Sequence, residues 1–288
     1  MKSKVIGIYT VMILAIIFSL VPIILGITTS LKVYQEVYRV PPGLIPDPVT
    51  FKSWISLFFT VKETPGVVGA QAATVKSAFA EYFINSLIVA SGVTSVTILV
   101  SLPVGYGLAR FRFKARYAIS VSVLLFYLLP PVVLLIPLYV VFSKLELIDT
   151  YIALSLAHTI WTLPLGIWFL RGYFVTIPWQ LEEAAMIDGC TRLSAIRRIV
   201  LPISIPGVLA IALFAFEYSW GEFLYALVLT GSSTRTVPVG LMSFIKEHFI
   251  DWPGLMSGTL MFSFPVVILF FIFQKYFVAG LTGGAVKG

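Results

Sequence analysis

Glu217 and Glu222 fall inside a long apolar stretch, and Tyr218, Trp220 and Tyr225 stand beside them. A carboxylate accepts hydrogen bonds from hydroxyl groups, and an aromatic face offers apolar area against which a ring can stack. That pairing suits a polyhydroxylated solute passing through a membrane. The same carboxylates also suit proton carriage, the chemistry of an ion-coupled carrier. Isolated charges in lipid are costly, so such groups face a bundle interior or a wet cavity. Glu217 and Glu222 lie about 500° apart around a helix, roughly 140° net, so at most one points into a shared pathway. Glu222 equally fits an interfacial or scaffold-contacting position near the outer surface. His158, in a separate apolar run, reads as a hydrogen-bonded packing residue rather than a proton relay.

A second polar constellation runs from Arg171 to Arg198. Pro178 suits a first helical position, where its missing N–H would be unpaired anyway. Trp179 to Ile187 are good helix formers, with Glu182 and Glu183 near the positive end of the helix dipole. Gly189 follows as a stop that adopts positive φ without penalty. Thr191 then caps a second short helix, Arg192–Val200, until Pro202 bends the chain away. The unit is helix, tight turn, helix. Glu182 reads as a solvated or dipole-paired carboxylate, and Asp188 admits that reading beside one as a docking residue. A DNA-reading helix-turn-helix has the same outline, but apolar spans on both sides argue against it.

The elements that position these groups follow from composition. The 288-residue chain is 59% hydrophobic and 11% charged, with mean hydropathy +0.99; a soluble domain has about 25% charged residues. The charges cluster, leaving uncharged runs at Val5–Leu31, Tyr82–Ala109, Tyr117–Ser143, Tyr151–Leu170, Ile199–Phe216 and Pro253–Gln274. The fifth resumes after Glu222 and continues to Thr230. A bilayer core of about 30 Å takes roughly 20 apolar residues in a helix. The expectation is an all-α membrane protein with six transmembrane helices, over about 5–31, 82–109, 117–143, 151–170, 199–230 and 253–277. A β-barrel would need alternating strands, which these runs lack. The first run is too long for a cleaved signal core and reads as a retained helix. Pro130 and Pro131 bend the third helix. Residues 32–81 form an outer segment, read as a small ordered cap with a solvated tract at Val61–Ala73, and 171–200 form the opposite, polar loop.

Basic residues set the orientation. With the N-terminus inside, the inner segments carry 12 of the 20 basic residues against three acids, and the outer segments are neutral. Arg110, Arg112, Lys114 and Arg116, in one short inner loop, give the clearest bias. Both termini are therefore expected in the cytoplasm, and the net charge of +7 is accounted for by topology rather than by nucleic-acid binding. Cys190 is the sole cysteine, so no internal disulfide forms, and no Cys/His cluster suggests a metal.

Glu183-Ala184-Ala185, Gly189, Ile199 and Leu201-Pro202, at their spacing, resemble the EAA loop of ABC importer permeases, and Asp188 beside Gly189 is placed with them among the docking residues. Tyr106–Lys114, Ile136-Pro137-Leu138-Tyr139, Leu147–Tyr151 and Ser219–Leu227 resemble the sugar-importing members, specifically maltose-type permeases with a short N-terminus. Gly221 stands where Asn is usual in them, and Gly280–Gly288 resembles their closing tail. The resemblance implies a single multi-pass permease domain in the cell membrane. It would work with a second homologous permease, two copies of a cytoplasmic ATP-binding subunit, and an extracellular or periplasmic binding protein that delivers a sugar. ATP and Mg would be used by the ATPase, and this chain would bind no cofactor and catalyse nothing itself; it has no Gly-x-x-x-x-Gly-Lys-Ser/Thr loop. By the same resemblance Glu183 faces the ATPase, Ala184 and Ala185 seat the short helix in a cleft, and Lys287 reaches toward that interface. A permease for a non-sugar solute and an ion-coupled carrier are the alternative readings.

Overall fold

The computed structural model describes residues 2–41, 43–59 and 78–285. The tract Val61–Ala73 and Lys287 lie outside them. With no solvent inside a bilayer to take up an amide, each span must close its own hydrogen bonds, and the chain does so as helices. In order they are α1 (Lys2–Ser30), α2 (Tyr34–Val37), α3 (Lys52–Phe58), α4 (Phe79–Arg110), α5 (Arg116–Tyr127), α6 (Pro131–Lys144), α7 (Tyr151–Thr176), α8 (Gln180–Ile187), α9 (Arg192–Ala195), α10 (Leu201–Gly221), α11 (Leu224–Leu229), α12 (Val237–Leu241) and α13 (Trp252–Ala285). The isolated bridge between Ile245 and Ile250 is the only β pairing among the described residues.

Five helical stretches are long and apolar enough to cross a membrane, and α5 with α6 make a sixth span if the pair is taken as one. That pair is bent by 93°. Pro130 adopts extended backbone between them and Pro131 opens α6, so the double proline breaks the run outright instead of kinking it. The fourth span is longer than its uncharged run, because α7 carries Arg171 inside it and ends at Thr176.

The return from the polar loop also departs from expectation. Pro202 does not end a second short helix. From Arg192 to Gly221 the chain is one continuous helical span. A π turn at Ile196–Val200, closed by the Leu201 N–H donating to the Ile196 carbonyl, lies just before the proline. The wider turn accommodates Pro202, which has no N–H to give and whose ring crowds the preceding turn of an α-helix.

The helices fall into two units, residues 1–83 with 239–264, and 84–238 with 265–288. In the first, α1 is exposed along nearly its whole length, as a lipid-facing helix is. Its end carries an ordered cap. Trp54 donates to the Ser30 hydroxyl (3.1 Å), the buried Glu36 accepts from the Asp47 N–H (3.0 Å), and Lys32 donates to the Gly43 carbonyl.

In the second unit α7 is central, packed against α5, α6, α10 and α11. Close approach is made by small residues, as membrane helices require. A Cβ on Gly207 would stand 2.7 Å from the Tyr173 ring. One end of α7 is held by Asp149. Its carboxylate accepts from the N–H groups of Gly231 (2.8 Å), Ser233 (3.1 Å) and Thr234 (2.9 Å) and from the Thr234 hydroxyl (2.7 Å). Asn85 donates to the carbonyls of Ser233 and Arg235 and accepts from the Tyr151 hydroxyl. Partial burial alone would raise the Asp149 carboxyl, but the bonds from Thr234, Gly231 and Ser233 outweigh it and hold the group down, from 3.8 to about 2.

A depressed carboxyl stabilises the fold above its unfolded value and ceases to do so as pH falls through the folded one. Asp149→Ala should therefore lower stability at neutral pH by about 1–2 kcal/mol, near the low end for charged hydrogen bonds because the group is partly exposed and screened. The gap to the wild type should close as pH falls from 3.8 toward 2. Thermal unfolding in detergent across that range measures it.

Candidate functional site

The polar loop between α7 and α10 has two faces. Pro178 accepts from Leu181 and Trp179 from Glu182 and Glu183, so the chain turns into α8 two residues later than the proline suggests. At its end the Gly189 N–H reaches the Met186 carbonyl and the Cys190 N–H the Ala185 carbonyl, the paired closing bonds of a helix whose next residue is left-handed. Gly189 has φ +88°, which L side chains rarely adopt. Thr191 caps the returning helix by accepting from the Ser194 N–H.

Glu183, Ala184, Ile187, Asp188 and Gly189 are exposed, Ile187 at 85%. Glu183 accepts from the Trp179 indole at 2.7 Å, which steadies its carboxylate at the surface. Ala185 lies on the inner side of α8. It is buried against its own chain and therefore does not share the exposed face with Ala184. Ile199 and Leu201 are half-buried and Pro202 is exposed where α10 begins.

The other face holds the residue that the sequence reading misplaced. Glu182, read as solvated or dipole-paired, is 1% exposed. Its carboxylate accepts from the Tyr106 hydroxyl at 2.6 Å and from Arg110 Nε at 2.7 Å. Arg110 also donates to the Ile177 carbonyl at the end of α7 (2.9 Å). The Trp179 ring lies 5.5 Å from the guanidinium carbons of Arg110 and Arg192, and Arg192 is 5.1 Å from the Phe111 ring. Below this cluster Tyr106, Leu170, Phe174, Ile177, Val200 and Ile211 pack into one core. A signal was present in the sequence. Tyr106 and Arg110 share a face of α4 four residues apart, at the end of an apolar helix, and two such donors need an acceptor.

The in-span groups separate as their spacing requires. Glu217 is exposed on α10. Glu222 turns inward, where one oxygen accepts from the Tyr225 N–H (2.9 Å) and the other from the Ala226 N–H (3.1 Å), capping α11. It also meets His158 Nε2 at 3.1 Å, and His158 Nδ1 lies 2.9 Å from the Ser219 hydroxyl. His158 is wholly buried. Trp220 is buried and stacked on Phe216, with centroids 5.4 Å apart. Tyr225 is buried too, accepting from the Trp161 indole and donating to the Pro131 carbonyl at the α5–α6 break. Tyr218 is half-buried, edge-on to His158. Within this chain, then, Glu222, Trp220 and Tyr225 hold the scaffold, and Glu217 presents an open polar group.

Residues 101–283 match the family described as binding-protein-dependent transport system inner membrane component. The chain belongs to that family. It is 32% identical over 284 residues to the inner membrane ABC transporter permease protein YcjP of Escherichia coli (strain K12), covering 98% of this chain and 96% of the relative. It is 41% identical over 212 residues to the trehalose/maltose transport system permease protein MalG of Thermococcus litoralis, covering 73% of this chain and 76% of the relative. Among solved structures it resembles a subunit of a bacterial ABC transporter involved in the import of the acidic polysaccharide alginate. The TM-score is 0.73 at 19% identity, over 96% of this chain and 98% of that one. This permease is thus a multi-pass inner-membrane protein, and the match takes in the polar loop, α10 and most of α13.

The buried and exposed carboxylates of α10 should behave oppositely on mutation. Glu222→Ala strips the α11 cap and leaves His158 without its acid partner, which should cost about 3 kcal/mol. Glu217→Gln should leave stability within about 0.5 kcal/mol of the wild type. Thermal unfolding of both variants in detergent checks the contrast.

Proposed function

We propose that this permease is the translocation subunit of an ATP-driven importer of a sugar, coupled through its polar loop to a cytoplasmic ATPase. The observation that carries the reading is the two-faced loop. One face is fixed to α4 through Glu182, and Arg110 extends that tie to the Ile177 carbonyl at the end of α7. The other offers Glu183, Ala184, Ile187, Asp188 and Gly189 on a short helix with a defined end. A fixed, exposed helix that follows a membrane span is suited to receive a push. The ATPase binds and hydrolyses ATP with Mg, and this chain holds neither and catalyses no reaction. The loop and both termini lie on the cytoplasmic side, which the excess of basic residues in the inner segments supports. The complex contains a second permease and two ATPase copies, and an external binding protein delivers the cargo.

A sugar is favoured because the 41% identical relative is named for trehalose and maltose, and the structural relative for alginate import. Glu217 is the group we assign to the pathway. An exposed carboxylate in a membrane-spanning helix faces water rather than lipid, and the aqueous space between two permeases supplies it. Tyr218 lines the same turn. Trp220, Glu222 and Tyr225 act behind that wall.

The test is ATP hydrolysis by the purified complex in liposomes, with its binding protein, against a panel of sugars and of amino acids. Stimulation by a sugar supports the reading, and stimulation by an amino acid alone overturns the cargo. Glu183→Lys and Gly189→Pro should abolish co-purification of the ATPase. Glu217→Gln should lower transport while the ATPase stays bound. Retention of the ATPase by both loop variants would refute the docking assignment.

A further inference from the structure

We propose that Glu182, gripped by Tyr106 and Arg110, is a positioning contact that makes α8 and the end of α4 one moving part, so that the stroke received by the loop reaches the second span. This rests on the proposed docking function and adds a route for the force. By chain connectivity alone, a push on α8 enters α7 and α10, the helices on either side of it. α4 is far away in sequence. Among the described residues, the polar contacts that join α8 to α4 run through Glu182, to Tyr106 Oη at 2.6 Å and Arg110 Nε at 2.7 Å.

The nature of the contact matters as much as its place. Apolar packing is non-directional and tolerates sliding between helices, whereas a charge-assisted hydrogen bond fixes distance and angle. Arg110 spans the elbow as well, donating to the Ile177 carbonyl while it holds Glu182. The Trp179 ring, stacked near Arg110 and Arg192, fills the elbow from the side. A buried ion pair is weak as a source of stability. An apolar pair would serve packing as well, and the directional contact is explained by a need to resist shear. Glu182 stands next to Glu183 but about 100° further round α8, buried where Glu183 is exposed, so the site that receives force and the site that passes it on are adjacent residues of one turn.

The measurement is hydrogen–deuterium exchange on the complex with its ATPase in nanodiscs, comparing ATP-free and vanadate-trapped states. Two peptides are followed, residues 178–195 of the loop and residues 104–116 at the end of α4. In the wild type both should change protection on trapping. In Glu182→Gln the loop peptide should still change, and the α4 peptide should lose its response. Tyr106→Phe removes one hydroxyl and should give the same loss to a lesser degree, which keeps the test in hand if Glu182→Gln does not assemble. A merely structural Glu182 would raise exchange at 104–116 in both states yet leave the response to trapping intact, and that result overturns the proposal. No protection of the loop by the ATPase in the wild type would instead strike down the docking assignment on which it stands.

Discussion

The structure depends on one constraint, the absence of hydrogen-bonding solvent within the hydrocarbon of the bilayer. Each span answers it first with a helix, whose amides bond to one another. Where the helix is interrupted, named side chains bond the backbone beside the break. At the α5–α6 break the Pro131 carbonyl takes the Tyr225 hydroxyl, and at the α10–α11 break Glu222 receives the free N–H groups of Tyr225 and Ala226. His158 then gives Glu222 its second partner and takes Ser219 as its own. The two breaks are joined through Tyr225, so neither is an isolated defect.

The same constraint explains why neighbouring carboxylates take different roles. Glu182 and Glu183 differ by about 100° around α8. That rotation carries one into a nearly dry seat, where a charge survives only with partners, and leaves the other at the surface. The buried member needs Tyr106 and Arg110, and the exposed member needs only the Trp179 indole to steady it. A family resemblance that names Glu183 therefore directs attention to the partner face and away from the residue that ties the loop to its own membrane helices. The exposed face of α8 is held in place because Glu182, the residue beside Glu183, is anchored.

The spans were legible from the uncharged runs because hydrocarbon thickness imposes a length that sequence can meet or fail. Gly189 was legible as well, since positive φ after a short helix favours glycine almost alone. Pro130 and Pro131 declared a bend but not its size, and the Tyr225 hydroxyl that bonds the Pro131 carbonyl comes from a residue far along the chain. Pro202 misled for a related reason. Proline reads as a stop, yet a π turn one step earlier lets the helix pass through it, and that remedy leaves no local mark. Glu182 was obscure because burial is a property of neighbours, and Tyr106 and Arg110 are more than 70 positions away. Trp220 and Tyr225 have the composition of a sugar platform, but they are enclosed by Phe216 and Trp161.

The continuity through Pro202 bears on how the loop acts. A hinge at that proline would let the loop swing without moving α10. Instead the returning helix enters the fifth span without a break, while the Gly189 turn concentrates the change of direction at the tip of the loop. The other strand of the loop leaves α7 by an elbow that Arg110 closes from the side. The change of direction is thus concentrated at the tip, one root is continuous with α10, and the other is hydrogen-bonded to Arg110. On the proposed docking function, a displacement at the tip would pass directly into the helices that carry it.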